Sequence, residues 1–186
     1  MKIICLILLV TLGVNSINAQ DKYFTKNGTI TIDATTNASL ETVHAVNRTA
    51  RAVLDTKTGN LLFVVHMKGF EFQKALMQEH FNENYVDSDK YPTADFKGQV
   101  VNISSVDFTK DGTYPVSVKG TLMMHGKSNP VETKGTLQVK NGKVIANGNF
   151  NITLKEYDIS IPGLVADKVS KTANIIIDCS LDPFKG

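Results

Sequence analysis

Residues 144–154 read Val144-Ile145-Ala146-Asn147-Gly148-Asn149-Phe150-Asn151-Ile152-Thr153-Leu154. Val144, Ala146, Gly148, Phe150, Ile152 and Leu154 fall on one face, and mostly polar residues on the other. A strand sends successive side chains to opposite sides, so this alternation predicts a β-strand with one dry and one wet face. Thr29 to Asp33 and Val116 to Leu122 alternate in the same way. Turn signals separate the runs: Asn27-Gly28, Thr58-Gly59-Asn60, Asp111-Gly112, Gly126 to Pro130, Asn141-Gly142 and Pro162-Gly163. Val, Ile and Thr supply 43 of residues 20–186, and β-branched side chains favour strands. About eight or nine strands are expected, at 22–26, 29–35, 41–55 (bent), 60–68, 94–106, 114–124, 131–140, 143–154 and 171–181. Almost no helix separates them, so the connections are hairpins and the sheet is antiparallel. A meander of this size hides its edges by closing into a barrel or folding into a sandwich.

One helix is expected, at about 72–86, within a segment that has no Gly or Pro. Phe72 and Leu76 are four apart, as are Met77, Phe81 and Tyr85, which gives one apolar face. Such a helix would cover an end of a barrel or pack beside its wall. The tetrapeptide Lys-Gly-Thr-Leu occurs at 119–122 and again at 134–137, too short to define a repeat.

The first nineteen residues are set apart. Lys2 precedes a largely apolar run, Ile3 to Val14, and Asn15, Ser16 and Asn18 lead to Ala19. This is the order of a secretory signal peptide, and the run is shorter than the ~20 residues that span a bilayer. Cleavage near Ala19 leaves residues 20–186 as one domain, periplasmic or secreted, with no transmembrane segment expected. That chain has 19 basic and 18 acidic residues, and Cys179 as its one cysteine. Near-neutrality argues against nucleic acid as a partner. Cys179 shares a strand face with Ile175, Ile177 and Leu181, which predicts burial.

Motifs of catalysis are sparse. Gly126-Lys127-Ser128 lacks the first glycine and the following helix of a phosphate loop. The four histidines, His44, His66, His80 and His125, show no i, i+2 or i, i+4 pairing, so no metal site is expected. No catalytic residue is assigned. Sequons at Asn27, Asn37, Asn47, Asn102 and Asn151 are read as chance in an Asn- and Thr-rich β protein.

Three segments carry a resemblance. Gly69-Phe70-Glu71-Phe72-Gln73-Lys74-Ala75-Leu76-Met77-Gln78-Glu79-His80-Phe81-Asn82-Glu83-Asn84-Tyr85, continued by Asp89-Lys90-Tyr91-Pro92-Thr93-Ala94-Asp95-Phe96-Lys97-Gly98, is long and specific. Val118 to Gly126, with Gly120-Thr121-Leu122-Met123-Met124-His125-Gly126, and Asp158-Ile159-Ser160-Ile161-Pro162 follow in order. Together they resemble the YceI-like, polyisoprenoid-binding family of exported bacterial proteins. The family's turn often continues Val-Thr-Lys-Pro, where this chain has Lys127-Ser128-Asn129-Pro130. The resemblance implies an all-β, extended lipocalin-like antiparallel barrel. It also implies a long apolar cavity holding a polyisoprenoid, a quinone tail or a fatty-acid derivative, with no cofactor beyond that lipid and no chemistry performed on it.

Such a cavity takes its affinity from buried apolar area. Strand phase offers Phe96, Leu122, Met124, Phe150 and Ile152 as inward ligand contacts, and the helix offers Met77, Phe81 and Tyr85 to close one end. Two other readings stand beside this one. A lipid-modifying enzyme would need an acid or base in the cavity, for which Asp158, Glu156 and His125 are nearest. A ligand-free, stress-related structural protein would show a packed barrel and an exposed apolar patch. The sequence leaves the oligomeric state open, a dimer included.

Overall fold

The computed structural model describes residues 21–36 and 42–184. The expected leader at 1–19 and the sequon at Asn37 lie outside the described residues. The alternating runs form β1 (Lys22–Thr35), β2 (His44–Asp55), β3 (Asn60–His66), β4 (Glu71–Phe72), β5 (Thr93–Val100), β6 (Gly112–Met124), β7 (Lys127–Lys140), β8 (Lys143–Thr153) and β9 (Val169–Pro183). All the pairings are antiparallel. The order β1-β9-β8-β7-β6-β5-β3-β2 is closed by pairing of β1 with β2, so the architecture is an eight-stranded barrel, not a sandwich. β4 adds two residues to β2 through Ala45↔Phe72 and Val46↔Glu71.

Several expected boundaries shift. The runs at 22–26 and 29–35 are one strand, with irregular register around Gly28. Gly28 lies close over Cys179: a Cβ there would stand 2.5 Å from its Sγ. The run expected over 94–106 ends at Val100, because Asn102 anchors a turn. Its Oδ1 accepts from Ser117 N at 2.9 Å and its Nδ2 donates to Pro115 O at 3.1 Å. The turn expected over Gly126 to Pro130 is tighter. His125 and Gly126, with φ of 52° and 71°, make it, and Lys127 to Pro130 already belong to β7. Asn141 and Gly142, with φ of 52° and 74°, turn β7 into β8 by the same left-handed pair.

The helix is shorter than its pattern predicts. α1 spans Ala75–His80 and passes into a wider π-type turn at Phe81–Tyr85. Phe72 is taken by β4, and Leu76 is 60% exposed, so the five apolar side chains do not form one buried face. Phe81 instead packs its ring against Phe70 and Phe72, with centroids 5.7 Å and 5.0 Å apart.

Inside the barrel, two glycines face each other across β5 and β6, Gly98↔Gly120. The Phe96 ring lies over both, 2.5 Å from where either Cβ would stand. Gly98→Ala is therefore expected to destabilise the fold by about 1–3 kcal/mol in chemical denaturation. Unchanged stability would overturn this packing.

Cys179 is fully buried, as its strand phase predicts. Burial pushes its thiol up from 9.0 to about 12. Between those values the folded thiol stays protonated while the unfolded one ionises, so folding holds the extra proton and stability falls as pH rises. Denaturation midpoints measured across pH 9.0 to 12 should therefore fall more steeply for the native chain than for Cys179→Ala. Equal slopes would show that the thiol is not the group responsible.

Candidate functional site

Closure sends one face of every long strand inward. Where β1 begins and β9 ends, Tyr23, Leu54, Val144 and Leu181 fill the interior. Toward the other end, Met67, Phe70, Met124, Ile152 and Tyr157 are buried. Between these layers, Ile32, Phe96, Val118, Val131, Phe150, Ile175 and Ile177 point inward yet remain only half-buried. They border a cavity of about 120 Å³. Each water takes ~30 Å³ in the liquid, so there is room for about four.

A second glycine pair helps to make this space. Gly135↔Gly148 joins β7 to β8 with both glycines on the cavity. A Cβ on Gly135 would meet Asn147 O at 2.4 Å, so the strands there approach too closely for a side chain. A Cβ on Gly148 would have nothing nearer than 3.7 Å. Among the described residues no ring covers this pair as Phe96 covers the other, and Lys134 and Asn147 border the cavity.

The lining is almost wholly hydrocarbon. Among the described residues it contains no carboxylate and no imidazole, and its one ionisable residue is Lys134. Asp158 and Glu156 are exposed and outside the cavity, and Asp158 pairs with Lys127 at 3.7 Å. His125 is also outside it. Its Nδ1 donates to Tyr157 O at 2.8 Å and its ring meets Tyr91 edge-on, centroids 4.8 Å apart. Burial raises the Tyr157 phenol above its ordinary value. Among the described residues, no three His, Cys, Asp or Glu side chains come together as metal ligands.

Of the residues chosen from sequence, Phe96, Leu122, Met124, Phe150 and Ile152 line the cavity. Met77, Phe81 and Tyr85 lie outside its lining, because the helix stands beside the wall at Phe70 and β4. Residues not chosen include Ile30 and Ile32 on β1, Leu61, Phe63 and Val65 on β3, and Ile175 and Ile177 on β9. Their alternation was legible. What strand phase lacks is which of two faces becomes the interior of a closed wall.

On the outside, Phe24 and Phe184 stack edge to face at 5.6 Å. Phe24 pairs with Val53 and Val53 with Leu62, and these last two are exposed, so an apolar stripe crosses three strands.

Comparison with known proteins agrees with this architecture. A polyisoprenoid binding domain from Saccharophagus degradans, implicated in plant cell wall breakdown, superposes with a TM-score of 0.74 at 12% identity, over 89% of this chain and 99% of that one. Burkholderia cenocepacia BcnA gives 0.64 at 13% identity, over 82% and 95%. A Campylobacter jejuni YceI protein gives 0.61 at 15% identity, over 81% and 90%. At such identities the likeness is one of fold. No curated protein matches the sequence. The family model of the YceI-like domain matches residues 13–181, which span the barrel from β1 to most of β9, and the chain belongs to that family.

Proposed function

We propose that this protein binds one long apolar chain in its barrel, of the polyisoprenoid, quinone-tail or fatty-acyl class, and performs no chemistry on it. The observation that carries the reading is the half-buried, hydrocarbon-lined belt around Phe96, Val118, Phe150 and Ile175. An apolar cavity left empty forfeits the contacts its walls could make. Water entering it would find almost no hydrogen-bond partners. A hydrocarbon chain relieves both costs, at ~25 cal/mol for each Å² it removes from water.

An enzyme acting on such a lipid would need an acid or base against it, and among the described residues the lining supplies neither carboxylate nor imidazole. A ligand-free structural role would go with a packed interior, which the half-buried belt does not provide. The outer stripe at Phe24, Val53 and Leu62 fits contact with another surface and is compatible with lipid binding. The leader-like first nineteen residues support work outside the cytoplasm, periplasmic or secreted.

Protein purified without detergent, extracted into organic solvent and analysed by mass spectrometry should yield a long-chain lipid in stoichiometric amount. A lipid-free extract from protein that also fails to take up an added polyprenol or fatty acid would overturn the reading. Gly148→Leu should fill the cavity, since its inward Cβ has room. Titration with the fluorescent fatty acid cis-parinaric acid should then show affinity lowered by ~10-fold or more, which corresponds to about 1.4 kcal/mol of lost burial. Unchanged affinity with an intact fold would place the acid elsewhere.

A further inference from the structure

The barrel wall is not uniformly stitched. The β7–β8 ladder runs from Lys140↔Lys143 to Gly135↔Gly148 and stops there, although β7 continues back to Lys127 and β8 forward to Thr153. Both strands keep their other neighbours over these stretches: Lys127–Lys134 stays paired with β6, and Asn149–Thr153 with β9. The two therefore diverge, and a window opens in the wall from the glycine pair to the turn at Leu154–Tyr157.

Two other ladders end early, and chain covers each gap. β2 and β3 pair only from Arg51↔Val64 to Leu54↔Leu61. Beyond that, fully buried Asn47 donates from Nδ2 to His66 O at 2.9 Å, and Met67 and Phe70 fill the space. β5 and β6 part beyond Val100↔Val118, where Val101 N donates to Ser117 O at 2.9 Å and Asn102 bonds back to β6. Among the described residues, no backbone bond spans the β7–β8 window, and its far end is covered by the Leu154–Tyr157 turn, where buried Tyr157 meets Asn129. One bond crosses its middle, from Thr133 Oγ1 to Asn149 O at 2.8 Å. Another closes its far end, from Asn129 Nδ2 to Glu156 O at 2.9 Å.

The window faces the cavity. Val131 and Thr133 on one rim, and Phe150 and Ile152 on the other, all belong to the cavity lining. Pro130 stands on the first rim, and proline within a sheet is confined to edges and positions outside the ladder. Both barrel ends, by contrast, are filled with buried side chains.

We propose that this window is the passage through which the lipid's hydrocarbon chain enters and leaves the cavity sideways, with Thr133 as its latch. Widening it breaks side-chain bonds only, whereas a passage between any fully paired strands must break a ladder. The proposal rests on the lipid-binding reading above.

The test uses cis-parinaric acid, loaded into the protein and then withdrawn by an excess of phosphatidylcholine vesicles. Glu132→Cys with Asn151→Cys places thiols on the outer faces of the two rims, at exposed positions outside the cavity lining, for joining by a short bismaleimide. Cys179 does not compete, since it is buried and its thiol stays protonated; Cys5, where retained, is changed to Ser. A control staple joins Val53→Cys to Leu62→Cys, an exposed pair across the laddered part of β2 and β3.

Stapling the window should slow release by about 10-fold or more. The unstapled double variant and the control staple should release as the native chain does. Thr133→Val, which removes the hydroxyl and keeps the shape, should speed release about 5-fold, the worth of one hydrogen bond. Release unaffected by the window staple, in protein that still binds the acid with native affinity, would overturn the passage while leaving the cavity reading intact. Failure of the native chain to bind any acid or polyprenol would overturn both.

Discussion

An antiparallel sheet leaves two rows of unpaired backbone groups unless its first and last strands meet, and here β1 settles both edges by pairing with β2 on one side and β9 on the other. Everything inside follows from that closure. It turns a two-faced meander into an object with one inner and one outer surface. It also sets a circumference, and an eight-stranded wall encloses just enough room for side chains or one slim guest. Whether the interior is solid or hollow then depends on the size of the inward residues at mid-height.

Glycine decides that point. Two pairs, Gly98↔Gly120 and Gly135↔Gly148, face the interior of neighbouring hairpins. The first is covered by the Phe96 ring, which restores the missing volume. The second is left bare, and the cavity reaches the backbone there. The same pair marks the last rung of the β7–β8 ladder. One local choice of residue thus thins the wall, widens the interior and ends the pairing.

Much of this was legible in the sequence. The period of two over Val144 to Leu154 placed β8 and its inner face, and the Asn141-Gly142 turn fixed the hairpin before it. Phase also put Cys179 inside. The helix misled because i, i+4 spacing reports a shared face only while the chain remains helical, and Phe72 is paired with Ala45 in a strand. The repeated Lys-Gly-Thr-Leu looked like coincidence, yet its two glycines, Gly120 and Gly135, are one member of each inward pair. Nothing in a single strand announces which glycine a ring will cover. The gap between β7 and β8 was hidden for a related reason: both strands alternate well past their last shared rung, and pairing is a property of two strands together.

Among the described residues, the cavity lining offers no buried charge able to grip a polar end. A lipid bound there as proposed would draw its energy from methylene and methyl groups, each worth about 0.8 kcal/mol when buried. Such a site would act as a ruler more than as a lock. In a homologous series, affinity would climb with every added carbon until the far wall is reached, then level off, while changes of headgroup would matter little. The layer of Tyr23, Leu54, Val144 and Leu181 that fills one end of the barrel is then the zero mark of that scale.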